Sequence, residues 1–376
     1  MPRPTWAEVN LGAIRANLGA LRTLLAPGVK VLGVVKADAY GHGMVPVARA
    51  LESAGVDMLG IAMVEEGVRL REAGIALPIL MMGSIPEDET EALVAHDLRP
   101  TVGDPGAPGL ERLDGAARAA GKRVAVHLKV DTGMNRLGVR AEEAVAVAET
   151  VAGLKHLRLE GLYTHFACAE MPDRAATEEQ LRRFAEVLRA LGERNLRPRL
   201  VHAANTAAIV TAPESHFDMV RPGLGLYGIL PCEGAPKAVR LKPALALRSR
   251  VAHLKRVPRS EGVSYGHTWR ARRDSVVGLL PIGYGDGYPW ALSNKGQVRL
   301  GDGPHAPLCP VVGRVCMDAT LVDLTDVPRP EVGLAATLIE ADAQSPINVA
   351  AVARLADTIP YEILTGLTSR VPRVYV

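Results

Sequence analysis

Charge of one sign, long apolar runs and paired cysteines are what this sequence does not have. Its 376 residues carry 44 lysines and arginines against 41 aspartates and glutamates. The formal charge of +3 is too small over that length to make nucleic acid or a membrane surface the main partner. No uncharged apolar run nears the roughly 20 residues that cross a bilayer. The amino-terminal stretch is interrupted by Glu8, Arg15 and Arg22, so no secretory signal is expected and the cytoplasm is the expected location. The cysteines, Cys168, Cys232, Cys309 and Cys316, include no CxxC pair. That pattern points away from a zinc cluster or disulfide framework and toward reduced thiols, with no metal expected. Lysine is also scarce, nine of the 44 basic residues, so each lysine in an apolar setting invites a functional question.

What the chain does have is ample core material, 48% hydrophobic residues, enough for one large domain and a smaller one at roughly 100–200 residues each. Eight short apolar runs alternate with amphipathic stretches: VKVLGVV (29–35), MLGIAM (58–63), PILMMG (78–83), LRPTV (98–102), VAVHLKV (124–130), LRLEGLYTHF (157–166), RLVHAAN (199–205) and FDMVRPG (217–223). Segments 141–154 and 177–194 place apolar residues at helical spacing. Eight such repeats within ~250 residues match a (β/α)8 barrel. An open doubly wound sheet is the competing arrangement, although no GxGxxG follows any of the strands. After residue 240 the pattern turns β-rich, with runs at 244–257, 275–284, 296–300 and 317–324. The Pro-containing segment 229–243 reads as the junction. The expected division is a barrel over 1–235, whose first ~8 residues could pair with the second domain, and a mainly β domain over 236–376.

In a barrel, reactive groups stand just past the carboxyl ends of strands. That rule selects Lys36, Arg136, His165, Asn205, Thr206, Arg221 and Gly223. Lys36 follows four apolar residues in five. An amine held there has a lowered pKa, as a Schiff base or general base requires, and the competing reading is a lysine that snorkels from the barrel mouth. RPGLGLYG offers backbone N–H groups at Gly223 and Leu224 as a phosphate nest, with the Thr206 hydroxyl beside them. The same glycines could serve only the turn. His165 alone reads equally as a satisfied core histidine. In the second domain, tyrosines among glycines (265–269, 283–289) read as surface or packing residues, and Cys316 as buried packing.

Taken together and in order, VVKADAYGHG, VDTGMNRLG, YTHFA, HAANTAA, RPGLGLYG, SYG, GYGDG, GRVCMD and PYEILT resemble the alanine racemases from residue 5 to 376. The resemblance implies a pyridoxal 5′-phosphate-binding (β/α)8 barrel, a β-rich carboxyl-terminal domain and a head-to-tail homodimer with shared active sites. It implies interconversion of L- and D-alanine, supplying D-alanine for cell-wall peptidoglycan. Lys36 would hold the cofactor covalently and act as one base, and Tyr265 would reach the other subunit as the second. Two bases on opposite faces of one planar carbon are what racemisation needs. Arg221 would bond the pyridine nitrogen, with His165 between it and Tyr265. Tyr40, Thr206, Gly223, Leu224 and Tyr361 would hold the phosphate, with Asn205 also at the cofactor. Arg136 and the Met317 backbone would bind the substrate carboxylate. Lys129 falls where several members carry a carbamate (N6-carboxylysine). Arg314, His202 and Glu170 would line an access corridor. Thr206 replaces the serine, and Glu170 the aspartate, found in many members. A barrel-fold amino-acid decarboxylase, a racemase of broader specificity and a non-catalytic pyridoxal-phosphate carrier are the competing readings.

Overall fold

The computed structural model describes residues 3–104, 108–232, 239–301, 303 and 305–376. The chain forms two compact units, one of Ile14–Ala39 and Met44–Leu241, the other of Met1–Ala13, Tyr40–Gly43 and Lys242–Val376. The boundary expected between residues 235 and 236 lies outside the described residues.

The first unit holds eight parallel strands: β1 (Lys30–Val34), β2 (Met58–Ile61), β3 (Ile79–Met81), β4 (Leu98–Val102), β5 (Val124–Asp131), β6 (Leu157–Tyr163), β7 (Leu200–His202) and β8 (Met219–Val220). Each lies within one of the eight runs read from the sequence, except β5, which runs one residue further, to Asp131. Parallel strands covered on both faces need unbroken apolar runs, as in β2 and β3, where every residue is buried. Neighbours follow chain order, and β8 returns to pair with β1. Between β7 and β8 the barrel is nearly closed by Asp218 N–H to Val201 O (3.0 Å), Arg221 N–H to Ala204 O (2.8 Å) and a bridge between Asn205 and Arg221. The pairing of β5 with β6 slips between Val126 and His127, leaving Glu160 as an extra residue on β6. Helix Ala175–Glu193 buries Thr177, Gln180, Phe184, Val187 and Leu191, a spacing of three and four that lays one face on the sheet. The stretch read as one helix over 141–154 opens with a 3-10 turn, Ala141–Glu143, before helix Ala144–Gly153.

The second unit is built on a six-stranded sheet in the order Leu308–Pro310, Gln297–Leu300, Ala335–Ile339, Leu245–Arg250, Thr5–Val9 and Arg373–Tyr375. Thr5–Val9 runs antiparallel to Leu245–Arg250 and parallel to Arg373–Tyr375. The run at 244–257 is two strands, and His253–Val257 joins Ser275–Leu280 and Thr320–Asp323 in a separate sheet. Val257, Val263, Ala271, Val277 and Val312 form a small core there. Helices Val349–Leu355 and Pro360–Gly366 were not foreseen among the β-rich runs.

Candidate active site

Lys36 stands just beyond β1 and opens an unusual turn. Ala37, Asp38, Ala39 and Tyr40 all take left-handed backbone, with φ of 52°, 52°, 55° and 53°. Each such residue costs about 1–2 kcal/mol when it carries a Cβ. Side-chain acceptors pin the turn: Glu66 Oε1 takes the Ala37 N–H at 2.6 Å and Asp38 Oδ1 the Met44 N–H at 2.9 Å. Strain held this way next to a reactive group is characteristic of functional sites. Lys36 is half-buried and makes no hydrogen bond or ion pair among the described residues. Burial, followed by the charge of Arg136, lowers its pKa, while Glu66 opposes the shift.

Beyond β5, the Asp131 carboxylate collects the N–H groups of Gly133 (2.9 Å), Met134 (2.9 Å), Asn135 (3.0 Å) and Arg136 (3.1 Å). Partial burial would raise its pKa, but these four bonds to the ionised form outweigh it and hold the carboxyl below its usual range. The loop presents Arg136. Within β5, Lys129 is buried, and burial together with Arg136 and Arg221 brings its amine down to about 8.

Arg221, just past β8, is buried at 3% exposure. Its guanidinium donates to His202 Nδ1 (2.9 Å), Thr164 O (2.7 Å), Ala203 O (2.9 Å) and His165 Nδ1 (3.2 Å). It also lies 5.1 Å from the centroid of the Tyr163 ring. Burial and the cations Arg221, Lys129, Arg136 and Lys36 keep His165 neutral, well below its ordinary pKa. Gln180 Nε2 donates to the His165 carbonyl at 3.0 Å and fixes its backbone. Thr206 Oγ1 accepts the N–H groups of Gly223 (3.0 Å) and Gly225 (3.1 Å), so the turn after β8 is tied to the start of helix Thr206–Thr211. A Cβ on Gly225 would come within 2.8 Å of Thr206 Cγ2, so this position admits only glycine. The Leu224 N–H has no acceptor among the described residues. Of the two nest donors read from the sequence, Leu224 is therefore the available one. Asn205 caps the helix, its Oδ1 accepting the Ala208 N–H at 3.0 Å.

The first unit thus gathers Lys36, Lys129, Arg136 and Arg221 so closely that Arg136 lowers both lysines and all four depress His165. None of the four forms an ion pair with a carboxylate among the described residues. A cationic cluster with no carboxylate in direct contact suits a ligand bearing several negative oxygens, and the half-buried amine suits one bearing an aldehyde. Pyridoxal phosphate has both, so the residues present fit it.

In the second unit, the rings of Tyr40 and Tyr361 meet with centroids 5.9 Å apart. Burial and Tyr361 push the Tyr40 phenol well above its ordinary pKa. Tyr265 is 74% exposed on a short turn entered through Ser264, whose hydroxyl donates to Arg314 O at 2.7 Å. Met317 is also exposed, and its N–H has no acceptor among the described residues. Cys316 is half-buried and lines a cavity with Ser264 and Tyr265, which corrects its reading as core packing.

One corridor assignment is corrected. His202 is fully buried within the barrel and bonded to Arg221, because an imidazole acceptor stabilises a desolvated guanidinium. Two residues near it escaped the sequence reading, His127 and Glu160, both fully buried. The signal that could have found them was a polar residue inside an otherwise apolar strand run.

The description "Alanine racemase, N-terminal domain" matches residues 9–231, and "Alanine racemase, C-terminal domain" matches 244–375. The chain is 44% identical over 374 residues to an alanine racemase of Halothermothrix orenii, covering 99% of this chain and 97% of that protein. It is 44% identical over 383 residues to one from Sorangium cellulosum, covering 99% of each. Among solved structures, alanine racemase of Clostridium difficile 630 superposes with a TM-score of 0.93 at 34% identity, covering 100% of this chain and 96% of that one. Alanine racemase from Streptomyces coelicolor A3(2) gives 0.92 at 39%, covering 99% and 98%. With both domains matched in order and relatives alike from end to end, this chain belongs to the alanine racemase family, whose members are pyridoxal 5′-phosphate-dependent isomerases.

Proposed function

We propose that the chain interconverts L- and D-alanine by two-base proton transfer, with Lys36 and Tyr265 of the partner subunit as the bases. The observation that carries this reading is the unpaired cationic cluster at the barrel mouth with the lowered amine of Lys36 among it. Pyridoxal phosphate, when bound, supplies the electron sink that makes the α-proton of alanine removable. Lys36, once uncharged, takes or returns that proton on one face. Tyr265 of the partner subunit serves the opposite face, a role supported by its exposure. The dimer is head-to-tail, so each site is completed by its neighbour. Arg221, always charged, would face the pyridine nitrogen of the bound cofactor and disfavour a proton there. This limits the strength of the sink and disfavours side reactions. His165 orients the partner's phenol and supports it electrostatically. The Leu224 N–H, with Tyr40, Tyr361 and the Thr206 hydroxyl that Gly223 holds in place, would bind the phosphate. Asn205 also lies at the cofactor, and Arg136 with the Met317 N–H binds the substrate carboxylate. Lys129 stands where several members carry a carbamate, and its lowered amine supports the same modification here. The enzyme works in the cytoplasm, a reading supported by the free thiols of Cys168, Cys232, Cys309 and Cys316. No helix among the described residues is long and apolar enough to cross a membrane.

The test is conversion of each alanine enantiomer, with serine, lysine and arginine alongside, with and without added pyridoxal phosphate. Lys36→Ala should abolish the borohydride-trapped cofactor adduct, and persistence of adduct and activity would overturn the assignment. Tyr265→Phe should lower racemisation roughly 10²–10⁴-fold in both directions, the range for a general base, with α-proton exchange lost from one enantiomer only and cofactor retained. Undiminished α-proton exchange from both enantiomers in deuterium oxide would overturn that role. Release of carbon dioxide from ornithine, lysine or diaminopimelate would favour a decarboxylase, in whose barrel a glutamate takes the place of Arg221.

A further inference from the structure

Behind Arg221 a line of buried polar side chains runs down the barrel interior to its opposite end. Arg221 Nη1 donates to His202 Nδ1 at 2.9 Å. His202 Nε2 lies 2.9 Å from His127 Nδ1, and His127 Nε2 faces Glu160 Oε2 at 3.5 Å. All three side chains beyond Arg221 are fully buried. At the far end Glu160 meets Arg99 (2.5 Å), Arg158 (3.2 Å) and Arg199 (2.8 Å).

The chemistry of the donors fixes the direction of this line. A guanidinium has no acceptor, so His202 Nδ1 must offer its lone pair and carry its proton on Nε2. That proton points at His127 Nδ1, which therefore accepts, and the His127 proton sits on Nε2 toward the carboxylate. Both hydrogen bonds donate the same way, away from the cation, and the last N–H faces the anion across a 3.5 Å gap. Bonds so aligned polarise one another and strengthen the grip on the first donor.

The backbone is shaped to allow it. Glu160 is the extra residue where β5 and β6 slip register, and a bulge of this kind re-aims a side chain. The next residue is Gly161, where a Cβ would lie 2.3 Å from His127 Nδ1. The His202 ring is held flat against Tyr163, with centroids 4.7 Å apart and 6° between planes, and the Tyr163 hydroxyl is bonded to Thr101 Oγ1 at 2.9 Å.

We propose that His202 and His127 form a one-way hydrogen-bond relay, its far end facing the Glu160 carboxylate across 3.5 Å, that positions Arg221 from inside the barrel. All three are positioning residues, and Glu160 acts on the pyridine-facing guanidinium without touching cofactor or substrate. The inference rests on the proposed role of Arg221, but the relay itself can be read without any turnover.

The test uses the full chain labelled with 15N-histidine, with and without pyridoxal phosphate. His127 and His202 should each give one neutral tautomer, protonated on Nε2, from about pH 6 to pH 9, since both are buried with a fixed donor on Nδ1. A proton on His202 Nδ1, or a tautomer mixture, would overturn the relay. With 15N-labelled cofactor bound, His127→Phe should shift the pyridine nitrogen signal. It should also lower kcat about tenfold, the lower end of what loss of an orienting partner costs, with KM nearly unchanged. His127→Gln keeps one acceptor and one donor and should recover most of both effects. If His127→Phe lowers only the melting temperature, leaving the pyridine signal and kcat as they were, the residues are structural and the proposal fails. If the protein racemises no amino acid, the proposed function fails, while the tautomers still decide the relay.

Discussion

The amine of Lys129 offers a quantitative test of the cationic cluster. Burial comes first among the causes that lower it, followed by Arg136 and Arg221, and the result is an amine titrating at about 8 in place of 10.5. At pH 7.4 such an amine is about one-fifth uncharged, whereas an ordinary lysine is under about one-thousandth uncharged. The ammonium first loses a proton, and the uncharged amine then attacks carbon dioxide, forming an N–C bond and releasing a second proton, so that a cation becomes an anion beside Arg136. Two-dimensional NMR of lysine-labelled protein should show Lys129 titrating with a midpoint near 8. Under 13C-labelled carbon dioxide a carbamate carbon should grow in as pH rises through that range. The perturbation is Arg136→Met, which removes the largest charge contribution. Its expected effect is a midpoint moved up toward 10.5 and a smaller carbamate signal at pH 7.4. A parent protein titrating at the ordinary lysine value, or a midpoint indifferent to Arg136→Met, would refute the reasoning.

Ala37 is exposed and left-handed, so Ala37→Gly should relieve about 1–2 kcal/mol of backbone strain against roughly 0.5–1 kcal/mol of added unfolded-state entropy. Urea unfolding should show a small net stabilisation, and a clear destabilisation would mean the turn is not strained as described. Gly161→Ala should act in the opposite sense. Its Cβ would sit 2.3 Å from a fully buried His127 ring, an overpacking worth about 1–3 kcal/mol. The same urea titration checks it, and an unchanged midpoint would contradict the packing around His127. Removing the helix cap by Asn205→Ala should cost about 1 kcal/mol, and a variant as stable as the parent would show that the cap is not made.

The sequence by itself determined the eight parallel strands, because strands buried on both faces must be written as continuous apolar runs, and these stand out between amphipathic helices. It also determined which residues end those strands, and so the candidates Lys36, Arg136, His165, Asn205, Thr206 and Arg221. Local pattern could not reveal the left-handed turn at Ala37–Tyr40, since alanine carries no preference for that backbone; Glu66, distant in sequence, helps hold it there. Nor could it reveal the register slip that turns Glu160 toward His127, because a bulge belongs to the pairing of two strands and leaves no mark on either alone. The placement of His202 was misread for the same reason. Its role depends on a guanidinium nineteen residues away that only the closing of β7 against β8 brings to 2.9 Å. Strand identity follows from composition along the chain, whereas polarity inside the barrel is decided by which desolvated donors and acceptors the closed sheet forces to satisfy one another.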